Sequence, residues 1–157
     1  MKRNISKIVE KVNTPPGTLK HIGDKSDSEV KIKIFEYNKD IYTNKYVSTV
    51  ENMDFKLDDT VKWIRIIGLK DLDIIKYIGE KFKLHPLLLE DLLNTAQQPK
   101  IDDYDIYIYT IIKLLRYDEN NNSIDSEQIS FILFKDILIT FEEFEGDTFQ
   151  NVIGNIE

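Results

Sequence analysis

The sequence predicts an α/β fold: a mixed parallel and antiparallel sheet covered by helices on both faces, an αβα sandwich. Three observations lead there. Stretches with the alternating period of a strand lie on both sides of stretches with helical period. Residues 106–115 are apolar or aromatic at both parities, with Ile106, Ile108, Ile112 and Leu114 on one side and Tyr107, Tyr109, Ile111 and Leu115 on the other. Such a strand is expected in the middle of a sheet covered on two faces. Finally, 157 residues that are 41% hydrophobic and 31% charged suit one domain with its own core, without disulfide or metal staples.

The elements follow in order. Ile5, Ile8, Val9 and Val12 repeat with helical spacing, so residues 1–13 read as a short amphipathic helix or a helically biased tail. Thr14-Pro15-Pro16-Gly17 stops it, and the α/β domain proper is expected over 14–146. Val30, Ile32 and Ile34 alternate with charged residues, and a β-rich run at 42–47 follows the Asn38-Lys39-Asp40 turn. Residues 61–67 form a third strand, ended by Gly68. Asp71 is placed to cap a helix carrying Leu72, Ile75, Ile78 and Phe82. A second helix starts at Pro86, a favourable first helical residue, and ends near Asn94. Strands at 126–134 and 137–142 form a hairpin across Lys135-Asp136. In the last segment, 147–157, Phe149, Val152, Ile153 and Ile156 again repeat with helical spacing. A short helix docked on the sheet fits that pattern; the start of a longer helix fits it better.

Composition narrows the chemistry. Acids outnumber bases 28 to 21, a net charge of −7, which disfavours nucleic-acid binding and makes cations the natural small partners. Without cysteine there is no disulfide, thiolate zinc site or cysteine nucleophile. The start lacks the apolar core of a signal peptide, and no apolar run approaches the roughly 20 residues that span a bilayer. The chain is therefore expected to be soluble by itself. His21 and His85 have no ligand partner at helical spacing, and no nucleophile-elbow, phosphate-loop, dinucleotide or zinc-protease motif occurs. An enzyme is not expected. The Asn-rich turn at 118–123 lacks the glycine and final glutamate of a calcium loop.

One acidic pair stands apart. On the helix 85–94, Leu88, Leu89, Leu92 and Leu93 form a stripe that should bury, and Glu90 and Asp91 fall on the opposite side around Leu87. The two carboxylates diverge by about 100°, so one ion cannot easily take both as inner ligands. Solvated or capping acids are one reading. The other is half of a cation site that retains water and draws further oxygens from elsewhere, which suits magnesium.

At this helix the sequence resembles the cytoplasmic N-terminal domain of the CorA family of magnesium and cobalt transporters. His85-Pro86-Leu87 through Asn94 matches the family's H-P-L-x-L-E-D-x-L-N helix start. Around it, Pro15-Pro16-Gly17-Thr18-Leu19, Trp63-Ile64 with Gly68-Leu69, Gln98-Pro99-Lys100, Ser126-Glu127-Gln128-Ile129-Ser130, Thr140-Phe141 and Gly146-Asp147-x-Phe149 follow in the family's order. The likeness covers about residues 14–153. Arg65 replaces a frequent Asn, and Ala96-Gln97-Gln98 replaces a frequent His-Gln-Arg.

The resemblance implies a regulatory, cation-sensing domain of a homopentameric channel, on the cytoplasmic side of the inner membrane. It implies Mg2+ as regulator and transported ion, with Co2+ also carried. Glu90 and Asp91 match the positions facing an intersubunit metal site, whose partner acid lies on a stalk helix; stalk and membrane helices are expected beyond residue 157. Without them the chain is expected to bind magnesium poorly and to be monomeric or weakly associated. A zinc-transporting relative and a stand-alone soluble binding module are the alternatives.

Overall fold

The computed structural model describes residues 19–21, 29–53, 55 and 59–157. The helix expected within 1–13 and the Pro15-Pro16 stop lie outside the described residues. Among the described residues seven strands form one sheet: β1 (Lys31–Tyr37), β2 (Tyr42–Val47), β3 (Val61–Ile67), β4 (Lys100–Asp103), β5 (Ile108–Asp118), β6 (Ser123–Leu133) and β7 (Ile137–Glu142). Their order is β2-β1-β3-β7-β6-β5-β4. Only β3 and β7 pair in parallel; the other neighbours are antiparallel, so the sheet is mixed.

Helices α1 (Leu72–Lys81) and α2 (Pro86–Leu93) lie in the crossover between β3 and β7. Side-chain parity separates the two sides of the sheet. Ile32, Ile34, Ile64, Ile66, Tyr109, Ile111, Ile132 and Ile139 pack in one core with Ile75 and Ile78 of α1 and the leucines of α2. The opposite parity, Phe35 and Trp63, packs with Ile153 of the C-terminal helix α3 (Gln150–Ile156), with Phe149 and Ile156 beside it. Helices thus cover both faces, as the periodicity predicted.

Local chemistry explains the ends of the elements. Asp71 caps α1, accepting from the amides of Asp73 and Ile74. Gly68 ends β3 at φ +95°, a conformation that a side chain would strain, and its amide donates to the Glu142 carbonyl at 2.8 Å. Gly79 of α1 lets α2 approach: a Cβ there would stand 2.5 Å from Leu89 Cδ1.

The central strand is not the one the sequence pointed to. β5 lies next to the edge, and its two faces differ: Ile111 is 1% exposed, whereas Ile108 is 38% and Ile112 37% exposed. Tyr109 and Ile111, of odd parity, join the core with α1 and α2; on the other side Phe149, just before α3, meets Phe131 of β6. The strands buried on both faces are β3 and β7, adjacent in the middle of the sheet. β3 carries Lys62 and Arg65 inside the protein. Lys62 pairs with Glu36 at 2.7 Å. Arg65 makes a bidentate pair with Glu142 at 2.8 and 2.6 Å and lies over the Trp63 and Phe149 rings. β4 was not foreseen either, because its Lys-Ile-Asp-Asp sequence reads as a charged loop.

Adjacent substitutions on β5 test this asymmetry by urea unfolding. Ile111→Ala is expected to cost about 3 kcal/mol and Ile112→Ala about 1 kcal/mol. Equal costs would mean that both faces are buried alike.

Candidate functional site

Helix α2 is built to be held on one side and open on the other. His85 is its N-cap: Nδ1 accepts from the Leu87 amide at 3.2 Å, and Pro86 occupies the first turn. The His85 ring stacks on Tyr104, and its amide donates to the Tyr107 hydroxyl. This assigns His85 to capping. Leu88, Leu89, Leu92 and Leu93 are buried as the spacing predicted, and Leu87 is exposed.

Glu90 is half-buried, and Asp91 lies in the last turn with its side chain 23% exposed. A carboxylate at a helix C-terminus faces the negative end of the helix dipole, and α2 has no basic residue of its own in that turn. The compensation comes from outside the helix. Lys100 Nζ stands 2.7 Å from Asp91 Oδ2, and Gln97 Nε2 donates to Oδ1 at 2.7 Å. The same ammonium is 2.6 Å from Asp102 Oδ2 and 5.5 Å from the centre of the Tyr109 ring. Burial lowers the Lys100 pKa, but the hydrogen bonds to Asp102 and Asp91 outweigh it and leave it raised, so Lys100 is a cation at neutral pH.

The end of α2 is clamped by β5 and β6. Gln128 Nε2 reaches the carbonyls of Asp91 and Leu92 at 3.4 and 3.3 Å, at the end of the helix where the intrahelical bonds run out; the Asp91 carbonyl also accepts from the Asn94 amide at 3.2 Å. Lys113 Nζ donates to Gln128 Oε1 at 3.1 Å and to the Thr95 carbonyl. The Gln128 amide in turn donates to Glu143 Oε1 at 2.5 Å. Burial pushes the Lys113 ammonium down and the Glu143 carboxyl up. Burial also raises Glu127, whose Oε2 is 2.9 Å from Arg116 Nη1, a charge contact without hydrogen-bond alignment.

Two further acids hold structure elsewhere. Asp118 accepts from the amides of Asn120 and Asn121 and holds the turn; Glu145 pairs with Lys31 at 2.6 Å. Among the described residues no three His, Asp or Glu side chains converge to hold a metal. Glu90 and Asp91 therefore do not make a metal site by themselves, and both Asp91 oxygens already accept hydrogen bonds. Among the described residues no helix is long and apolar enough to cross a membrane.

The sequence located Glu90 and Asp91 on the right helix and missed their surroundings. Lys100 and Gln128 lie inside the Gln-Pro-Lys and Ser-Glu-Gln motifs, but no period or spacing links either to Asp91. That link exists only once β4 and β6 are placed.

Residues 58–157 match the family described as CorA-like Mg2+ transporter protein. The chain is 35% identical over 147 residues to the cobalt/magnesium transport protein CorA of Thermotoga maritima, which is 93% of this chain and 42% of that protein. The chain thus spans about two-fifths of the length of this curated relative. In structure it resembles the soluble domain of CorA from Methanocaldococcus jannaschii, with TM-score 0.55 and 14% identity over 79% of this chain and 47% of that one. It also resembles the ZntB cytoplasmic domain from Vibrio parahaemolyticus, with TM-score 0.61 and 15% identity over 82% and 50%. At such identities the structural likenesses speak for the fold alone.

The raised Glu143 carboxyl gives a pH prediction. An acid whose pKa is higher folded than unfolded binds its proton more tightly in the folded state. Its contribution is fully present below the ordinary glutamate value and is lost as pH rises through the folded value. Glu143→Gln is expected to flatten this loss in urea-unfolding curves taken from acid to neutral pH. A parallel decline in both proteins would show that Glu143 carries none of it.

Proposed function

This chain belongs to the CorA-like Mg2+ transporter family, and on that premise we propose that it is the divalent-cation-sensing domain of a homo-oligomeric ion channel-transporter. The domain lies on the cytoplasmic side of the membrane, and the whole protein carries Mg2+ or Co2+ through a membrane part outside this chain. A pentamer is the assembly that the resemblance implies. The family is one of transporters, not of enzymes.

The observation that carries this reading is the build of α2. Its leucine side and its C-terminal carbonyls are fixed to the sheet, while Glu90 and Asp91 remain partly open to solvent. Rigid backing with an open acidic side suits a surface whose charge must be felt by a neighbouring subunit. Opposed acidic surfaces repel, and carboxylates that share a divalent cation attract. Glu90 and Asp91 thereby favour the packed, closed arrangement when Mg2+ is abundant and release it when Mg2+ falls. The coupling is the difference in cation affinity between the closed and open arrangements.

Zinc transport is the second reading, supported by the ZntB-like fold. The 35% identity to a cobalt/magnesium transport protein favours magnesium and cobalt. In flux measurements on the assembled channel, Asp91→Asn is expected to raise the Mg2+ concentration needed for closure about fivefold or more. An unchanged midpoint would argue against Asp91 as part of the sensor, and preferential Zn2+ flux would decide for the second reading.

A further inference from the structure

We propose that Lys100 is a tethered counter-ion that competes with divalent cations for Asp91, and so sets the concentration at which this surface responds. The inference rests on the reading of Asp91 as a cation-facing acid. Lys100 Nζ is held between two carboxylates from different elements, Asp91 Oδ2 at 2.7 Å on α2 and Asp102 Oδ2 at 2.6 Å on β4. It therefore occupies the position that a cation bridging the two acids would take. The Tyr109 ring, 5.5 Å away, adds a third attraction.

The three side chains are 30%, 23% and 36% exposed for Lys100, Asp91 and Asp102. This is a rim position, where exchange with solvent ions is possible and the ammonium can leave. Lysine suits that role because its charge sits on a flexible four-carbon stem and gains strong hydration when it swings out. While Lys100 is in place, Asp91 is neutralised, and an approaching divalent cation meets a positive charge at contact distance. Cation binding at Asp91 then proceeds with the release of Lys100. Magnesium, which binds through one or two carboxylates and keeps its other waters, could use Asp91 and Asp102 once the ammonium has gone.

The test is calorimetric titration of the chain with MgCl2 at constant ionic strength. Wild type is expected to bind weakly, Lys100→Met about tenfold more tightly, and Lys100→Arg no more tightly than wild type, since one positive charge beside the site is removed only in the first. The double variant Lys100→Met/Asp91→Asn is expected to lose the gain. Equal affinity of wild type and Lys100→Met overturns the role of Lys100, while the role of Asp91 is judged separately by the closure midpoint of the channel. A gain that survives Asp91→Asn overturns the proposal by placing the cation elsewhere. Should Lys100→Met not fold, NMR of the wild-type chain decides. The Lys100 ammonium signal is expected to broaden with the same Mg2+ midpoint as the Asp91 carboxyl shift, and an ammonium signal unmoved through that shift overturns the proposal.

Discussion

The end of helix α2 governs where the acidic pair can be. A helix leaves its last carbonyls without intrahelical partners, and that of Leu92 points into protein, where an unmade hydrogen bond costs about 1–3 kcal/mol. Gln128, itself 1% exposed, supplies the donor. Its other polar atoms are engaged in turn by Lys113 and Glu143. One glutamine thus joins α2 to β6, β5 and the end of β7. The leucine stripe brings the helix to the sheet, but it would tolerate some sliding; a hydrogen-bonded terminus fixes rotation and register. Asp91 takes its place from that clamp.

The two faces of the sheet use buried charge differently. On the α3 side, Arg65 and Glu142 form a bidentate pair roofed by Trp63 and Phe149. Such a pair gains little over an apolar substitute, yet losing one partner strands the other. Around the end of α2, Lys113 and Glu143 are shifted by burial, and Lys100 and Asp91 are partly open. The first arrangement holds α3 against the sheet. The second surrounds the proposed sensing helix with groups that can respond to ions.

Much of this was legible in the sequence. The two crossover helices, the cap at Asp71, the start at Pro86, the buried leucines and the β6–β7 hairpin all follow from local rules, because spacing and capping act over a few residues. The errors came where position depends on distant partners. Residues 106–115 look buried on both faces, but apolar composition does not say which neighbour covers a face. That β3 is buried despite two charges depends on partners in β1 and β7. The acidic pair was placed correctly on its helix; that Asp91 is already paired depends on β4, a strand whose sequence resembles a turn.

These parts combine into one account: the clamp fixes α2, α2 presents Asp91, and Lys100 neutralises it until a stronger cation competes. The clamp is the claim on which the others rest. Amide hydrogen exchange of Gln128→Met, set against wild type, tests it most directly. The account predicts that protection falls in the last turn of α2, at Leu92, Leu93 and Asn94, while α1 keeps its wild-type protection. Unchanged exchange in that turn would contradict it, because Asp91 would then owe its position to the leucine packing alone.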